Sequence, residues 1–355
     1  MSKVFKKKVL IVFIALVVLL VVLAIYFIFI ASDGRILRTN RHVHAAAAQG
    51  EHIYFVHSNF ESFQAENGEW GRNARIDVKR TTFEGKVSSV FSTLFEVARA
   101  AELYFAGFHV TDDGYFRFLI HESNDGRGTS ASRIHYITHN EMGQLVFHHI
   151  LTDFMTVDLN NFATVSHAVF TPAGDVVFSM RTADGANISI VDQTGVIRNE
   201  LQDRLGNLVQ ARDGRNLVLL HTALYELDVI TGEFGKSIAY IQLDGMSMWV
   251  DRFSIVPSWA QFDLYFSDLR TNRIYGYNLS TGVLTLLVDL SPMVENYGRL
   301  RMHEMVWGHS FGHGGVFCIL PDDRIALFYE ERWRTQNGES RWRTNLVLLE
   351  PQITN

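Results

Sequence analysis

Beyond residue 31 the chain alternates between short apolar runs and polar breaks. The runs hold five to nine residues rich in Val, Ile, Phe and Tyr, and Gly, Asp, Asn and Thr separate them. LYFSD (264–268) is one such run; a short polar break follows, then RIYGYN (273–278), then Ser-Thr-Gly. Period-two alternation between turn signals predicts β-strands. The unit recurs. HIYFVHSN (52–59) precedes ARIDVKRTTFEGKVSSVF (74–91), and DDGYFRFLIHE (112–122) precedes SRIHYITHNEMGQLVFHHI (132–150). AGDVVFSMRT (173–182) precedes NISIVDQTGVI (187–197), and DGRNLVLLH (213–221) precedes ALYELDVITGEF (223–234). DDRIALFYEE (322–331) precedes TNLVLLE (344–350), which makes six copies about 40 to 65 residues apart. SSVFSTLFEVARAAEL (88–103) comes nearest to an amphipathic helix, but its first half also reads as a strand. One helical turn is the most expected there, and no convincing amphipathic helix elsewhere in this part.

A fixed period in an all-β chain implies a solenoid or a propeller, because no single unit buries both of its faces. The period is too long for a β-helix coil and matches a four-stranded blade. A further strand fits before each pair, in FAGFHVT, TVSHAVFTP, LVQARD, DRFSIVP and GVFCILP for blades two to six, and near VHAAAA (43–48) for blade one. The prediction is an all-β, six-bladed β-propeller, with seven blades the alternative count. The last blade lacks a fourth strand, and GRILRTN (34–40) is spare, so Arg35 to Thr39 is expected to complete it and close the ring.

LYFSDLRTNRIYGYNLSTG resembles a blade of the YWTD and NHL-like propellers. Tyr265, Phe266, Ser267 and Asp268 stand where YWTD stands, with Phe266 and Ser267 departing from the motif. The layout of the whole chain resembles membrane-anchored propellers of Gram-positive bacteria, some of which accompany or are fused to solute-binding proteins of ABC importers. That resemblance implies an accessory role in solute uptake or sensing and carries no site residues.

Residues 9–30, VLIVFIALVVLLVVLAIYFIFI, change the picture of location. They hold no charge, and 22 residues span roughly 33 Å as a helix, enough to cross a bilayer. Lys3, Lys6, Lys7 and Lys8 precede them, which places the N-terminus in the cytoplasm. The run exceeds the roughly 7 to 15 residues of a cleaved signal's apolar core. The expected layout is a basic cytoplasmic tail (1–8), a single-pass signal anchor (9–31) and an extracytoplasmic β-propeller (32–355) at a bacterial cell membrane.

Net charge is −6, and without the four N-terminal lysines it is −10. An acidic exterior domain argues against nucleic acid as a partner. The only cysteine, Cys318, lies in the apolar run VFCIL and is expected to be a buried small hydrophobe.

Strand order fixes which loops share a rim. With strands A to D running outward from the axis, B–C and D–A connections share one rim, and A–B and C–D connections the other. The closing strand enters from the C–D side, so the B–C rim is expected to point away from the membrane. B–C connections are short in blades three to five. They are long in blade one (Ser58 to Asn73), blade two (Glu122 to Ala131) and blade six (Glu331 to Thr344), which are neighbours in a closed ring. Long connections on a rigid scaffold favour binding.

RWRTQNGESRWR (332–343) is the most unusual stretch. Asn337-Gly338 predicts a two-residue type I′ turn, which pairs Trp333 with Trp342 and gathers Arg332, Arg334, Arg341 and Arg343 on the other face. These six residues are the candidate ligand-binding set, suited to an anionic or glycan partner. Four arginines together want an anion, whether an acidic partner, a carboxylate ligand, or Glu330 and Asp residues of neighbouring loops; the plainer alternative is a Trp-stapled hairpin with solvated arginines. His309 and His313 in HSFGHGG are polar loop histidines first and metal ligands only second, since no Glu stands between them as in a zinc protease. Trp249, Trp259 and Trp307 are expected to pack between blades. No nucleophile elbow, phosphate loop, EF-hand loop, CxxC pair or cofactor motif is present, and the scattered carboxylates nominate no glycosidase pair. The functional expectation is a non-catalytic binding propeller meeting a protein or glycan on the outward rim. The alternative is a polysaccharide-acting propeller hydrolase or lyase.

Overall fold

A computed structural model describes residues 35–352, except 65–67, 69, 99–100, 124–131, 154–162, 172, 183–184, 202–205, 244–245, 248–249, 255, 269–270, 300–302, 307–315 and 336. The expected anchor, His309, His313, Trp249 and Trp307 therefore lie outside the described residues. No described helix is long and apolar enough to cross a membrane.

Every described strand but two belongs to a blade. β1 (Arg35–Thr39) pairs with the last strand and is treated with blade six. Blade one is β2 (Ala45–Gln49), β3 (His52–Gln64), β4 (Trp70–Thr82) and β5 (Val87–Val97). Blade two is β6 (Glu102–Val110), β7 (Phe116–Ser123), β8 (Ser132–His139) and β9 (Leu145–Asp153). Blade three is β10 (Ala163–Phe170), β11 (Val176–Thr182), β12 (Gly185–Val191) and β13 (Ile197–Leu201). Blade four is β14 (Asn207–Gln210), β15 (Asn216–Leu220), β16 (Ala223–Leu227) and β17 (Phe234–Tyr240). A small hairpin, β18 (Gln242–Leu243) and β19 (Met246–Ser247), leads into blade five. That blade is β20 (Val250–Phe253), β21 (Leu264–Asp268), β22 (Arg273–Asn278) and β23 (Val283–Asp289). In blade six the inner strand comes in two pieces, β24 (His303–Val306) and β25 (Val316–Ile319). Both pair with β26 (Ile325–Arg334), which pairs with β27 (Ser340–Leu349). β1 lies antiparallel on β27, with Thr39 opposite Thr344. The expected closing strand is thus in place.

Blade count follows from the core. Among the described residues six apolar clusters are present, one at each blade interface. Alternate residues of each second strand feed opposite clusters. Phe55 packs toward blade six and Val56 toward blade two; Tyr265 packs toward blade six, Leu264 and Phe266 toward blade four. Cys318 is buried in the cluster joining blades six and one, where burial pushes its thiol up to about 12. A seventh blade would need a seventh interface. Close approach at the axis has its own requirement: a Cβ on Gly107 would lie 2.9 Å from both Ala168 and Phe170 of the next blade.

One turn type dominates the A–B and C–D rim. Thr111–Tyr115, Asn140–Gln144, Thr171–Asp175 and Asp192–Val196 each join the first N–H to the fifth carbonyl and the fourth N–H to the first carbonyl. The fourth residue is left-handed, as at Gly143 (φ 74), where a side chain would also strike Phe91 of blade one.

The stretch 88–103 is as its alternative reading has it: its first part is β5, and a tight turn closed by Ala101 N–H to the Ala98 carbonyl leads to β6. Two expectations change. A helix does occur elsewhere, α1 (Ser291–Arg299), whose Ser-Pro start supplies a first-turn proline and whose Met293 and Val294 pack on the core between blades five and six. The long B–C connections of blades one and six are not irregular loops. Their strands continue as ribbons, with β3 pairing to β4 out to Gln64–Trp70 and β26 to β27 out to Arg334–Ser340. The blade-two connection, 124–131, is outside the described residues.

Two outcomes are expected. Deleting residues 34–40 lowers Tm by on the order of 10 °C, because it exposes β27 and the apolar contacts of Ile36 and Leu37; an unchanged midpoint in a thermal melt refutes closure by this strand. The second concerns pH. Burial pulls His57, His109, His139 and His148 down from 6.5 to about 4. Between those values the unfolded chain binds protons that the folded chain refuses, so stability is full above pH 6.5 and falls as pH drops toward 4. A Tm that stays flat from pH 7.5 to 5 contradicts this.

Candidate functional site

The ribbons of blades six and one rise side by side on the B–C rim. Beyond Val56, the last β3 residue paired to β2, strand β3 runs on for eight residues, or roughly 26 Å. Its far half is covered locally. Phe63 lies over Gly71, where any Cβ would meet the ring at 2.2 Å, and the Arg72 guanidinium sits 3.6 Å from the Phe60 ring centre. Trp70, at the ribbon's end, is 59% exposed.

In the blade-six ribbon the register differs by one residue from the two-residue turn that Asn337-Gly338 predicts. Thr335 N–H donates to the Glu339 carbonyl and Gly338 N–H to the Thr335 carbonyl, with Gly338 left-handed (φ 80). This is a three-residue loop with a glycine bulge, the same turn the other rim uses. Trp333 then faces Arg341, Arg332 faces Trp342, and Glu331 faces Arg343. A one-residue shift flips side chains to the opposite face. The two tryptophans are therefore on opposite faces, and no arginine opposes another.

Each face is built around a buried glutamate. Glu330 accepts from Arg332 Nε (3.1 Å) and Nη2 (2.9 Å) and contacts His42 Nδ1. Burial alone would raise its carboxyl, but the His42 and Arg332 contacts outweigh that and hold it below the usual carboxylate range. His42 stacks on Trp342, with ring centroids 3.5 Å apart. On the other face Glu331 accepts from Arg343 Nε (2.7 Å), Asn345 Nδ2 (3.4 Å) and Arg35 Nη1 (3.4 Å), and Arg343 lies 5.3 Å from the Trp333 ring. Arg341 meets the exposed Glu339 at 3.3 Å, and both Arg341 and Arg334 are exposed. The predicted set thus divides. Trp342 stacks on the closing segment, Arg332 and Arg343 hold the two glutamates that this segment also contacts, and Trp333 lies by Arg343, whereas Arg334 and Arg341 point to solvent.

The closing segment continues this network onto blade one. The His57 ring shares a hydrogen bond with the His42 carbonyl at 2.7 Å, and Ser58 bonds His44 at 2.8 Å. Arg41 and Arg75 each lie 2.9 Å from Asp77, which also accepts from Ser92 at 2.6 Å. In blade two a carboxylate–imidazole–imidazole chain crosses three strands: Glu122 Oε2 to His135 Nε2 at 2.8 Å, then His135 Nδ1 to His148 Nε2 at 2.9 Å. Glu122 also accepts from the Ala98 amide at 2.6 Å. Neither His148 nor His149 points freely outward, since His149 packs against Gly195 of blade three. Sequence patterning missed this chain, because its members pair only once the register is set. Among the described residues no group of three or more His, Cys, Asp or Glu is arranged to hold a metal.

Chemically, the rim carboxylates Glu122, Glu330 and Glu331 are each engaged by basic groups. The rim presents rigid ribbons tipped by aromatic and cationic side chains. Trp342→Ala should lower Tm by about 5 °C through loss of the His42 stack, while Arg341→Ala should leave it within about 2 °C. Equal shifts in thermal melts of the two variants rule out this division of labour.

No protein-family model matches the chain, and no curated protein matches it. Among solved structures it is similar to a luciferin-regenerating enzyme at 9% identity and TM-score 0.45, covering 89% of this chain and 94% of that one. It is also similar to an α-L-arabinofuranosidase from Fusarium graminearum, at 8% identity and TM-score 0.43, covering 89% and 96%. A third, an arabinanase of Bacillus subtilis, has 10% identity and TM-score 0.36, covering 88% and 96%. No residue and no activity is carried across at this level; the strand ladders and six interblade cores establish the wheel.

Proposed function

We propose that this protein is a binding propeller, held at a membrane by residues 9–31, whose partner docks on the ribbon rim of blades six and one. The observation that carries this is the pairing of those ribbons' buried carboxylates with arginine and histidine. Such pairing removes them from acid–base work and leaves stiff, projecting strands with Trp70, Arg334 and Arg341 outermost. Aromatic and arginine side chains on a rigid support are typical binding anchors. The partner's chemistry is anionic: an acidic protein segment or an acidic glycan. Chain direction adds orientation. β1 begins at the rim of tight turns, so an anchor preceding it holds that rim toward the bilayer and leaves the ribbon rim facing away.

A second function, hydrolysis or lysis of a polysaccharide, draws on a different observation. Glu122, Asp268 and Glu330 stand near the B–C ends of the second strands of blades two, five and six, and all three are buried. A glycosidase needs two carboxyl groups facing one cleft, separated by about 5 to 9.5 Å.

An array of acidic and neutral glycans and peptides, probed with the full chain, separates the two. Arg334→Glu combined with Arg341→Glu should cut retention on acidic probes at least about tenfold while the melting curve is kept. Undiminished retention sinks the docking surface. Release of reducing ends from a plant or bacterial polysaccharide, lost in Asp268→Asn, would establish the hydrolase instead.

A further inference from the structure

A second feature is on the opposite rim. A funnel of about 430 Å³ opens on the axis among the A–B turns and is lined by residues from all six blades. Its volume falls within the roughly 300–1,000 Å³ of small-molecule sites. A narrower void of about 80 Å³ continues it along the axis, and His109 and Gln210 line both.

Two unpartnered buried side-chain atoms and one arginine of this funnel bear on what it could hold. Arg212, one of two arginines in the funnel wall, is consumed. It bonds the Ala260 and Gln261 carbonyls at 3.0 and 3.1 Å and Asp263 at 3.0 Å, fastening blade four to blade five. Arg117 is not. It donates to the Thr171 carbonyl at 3.3 Å and, among the described residues, has no carboxylate within ion-pair distance, although it is only half-exposed. Five N–H groups on a guanidinium leave most of its capacity unused. His109 is directly opposite Arg117 across the β6–β7 ladder. His109 Nδ1 and Gln210 Nε2 are shut off from solvent without a hydrogen-bond partner. At the mouth, Asp112 and Asp113 are exposed on the turn joining those same two strands, with Asp113 accepting from the Thr111 hydroxyl. Trp259, expected to pack between blades, is instead 41% exposed in the funnel wall.

A buried polar atom without a partner is costly. Both signs of charge also line this one small cavity, a few residues apart on a single hairpin. We infer that the axial funnel is a binding site for a small zwitterion of the amino-acid type. Its carboxylate sits on Arg117, its ammonium group on Asp112 and Asp113, and its remainder against Trp259. Gln210 and His109 at the floor complete the polar contacts. This site is separate from the ribbon rim, and either can fail without the other.

The test is a thermal-shift and calorimetric titration of the full chain. The probes are the common L-amino acids, their N-acetyl and amide derivatives, neutral monosaccharides, and succinate. At least one free amino acid should raise Tm by a few degrees and bind with Kd below about 1 mM. Its N-acetyl and amide forms, each lacking one charge, should bind at least about tenfold more weakly. Arg117→Met, and separately Asp112→Asn with Asp113→Asn, should abolish the shift. The mouth variant alters exposed side chains and keeps the test valid if Arg117→Met does not fold. Binding of monosaccharides or succinate as tightly as amino acids overturns the inference. So do retained affinity in the mouth variant and silence across the whole panel.

Discussion

A four-stranded sheet that is apolar on both faces can hide them only between two more sheets like itself. Each second strand here sends successive side chains to opposite neighbours, as Phe55 and Val56 do, so no blade is stable in isolation. The solution is circular. Six interfaces serve six blades, and the last needs the first. The ring is closed without a covalent link inside blade six, where the first strand, β1, lies on the last, β27, and the segment after β1 carries the chain on into blade one.

The seam between blades six and one is fastened at two levels. At mid-height Phe55 meets Phe328, and Val43 and Cys318 fill the shared core. Above it the segment after β1 crosses from blade six to blade one and is gripped from both sides. His42 lies on Trp342 and contacts Glu330, while Arg41 reaches Asp77 on the blade-one ribbon. Buried ion pairs add modest net stability but penalise mispairing heavily, which suits a joint that must form in one register. The ribbon's arginines divide accordingly: those near the wheel hold the seam, and those at the tip are left for a partner.

Blade architecture was legible because it rests on alternation, which a sequence displays directly. The closing role of GRILRTN was legible because a blade one strand short and a spare strand elsewhere imply each other. What escaped depends on distance or on a single residue. Asn-Gly suits both a two-residue turn and a three-residue turn with a bulge, and the difference reverses Trp342. Helix α1 has only nine residues, too few to show a helical period. Glu330 and His42 are 288 positions apart, so their contact exists only after the ring shuts. The axial funnel gathers residues from every blade, none of them in a recognisable motif.

The first and last strands leave the wheel next to each other. β1 begins beside the end of β27, with Arg35 opposite Val347, and the two run antiparallel. A load applied to the chain before Arg35 and resisted just after Leu349, at the same end of the pair, meets the rungs of this ladder one at a time, as in opening a zipper. A ladder pulled along its length shares the load among all its rungs, but one pulled open from the end does not. The mechanically weakest path through this protein is therefore also its point of closure, and tension there would open the ring before it disturbed any single blade.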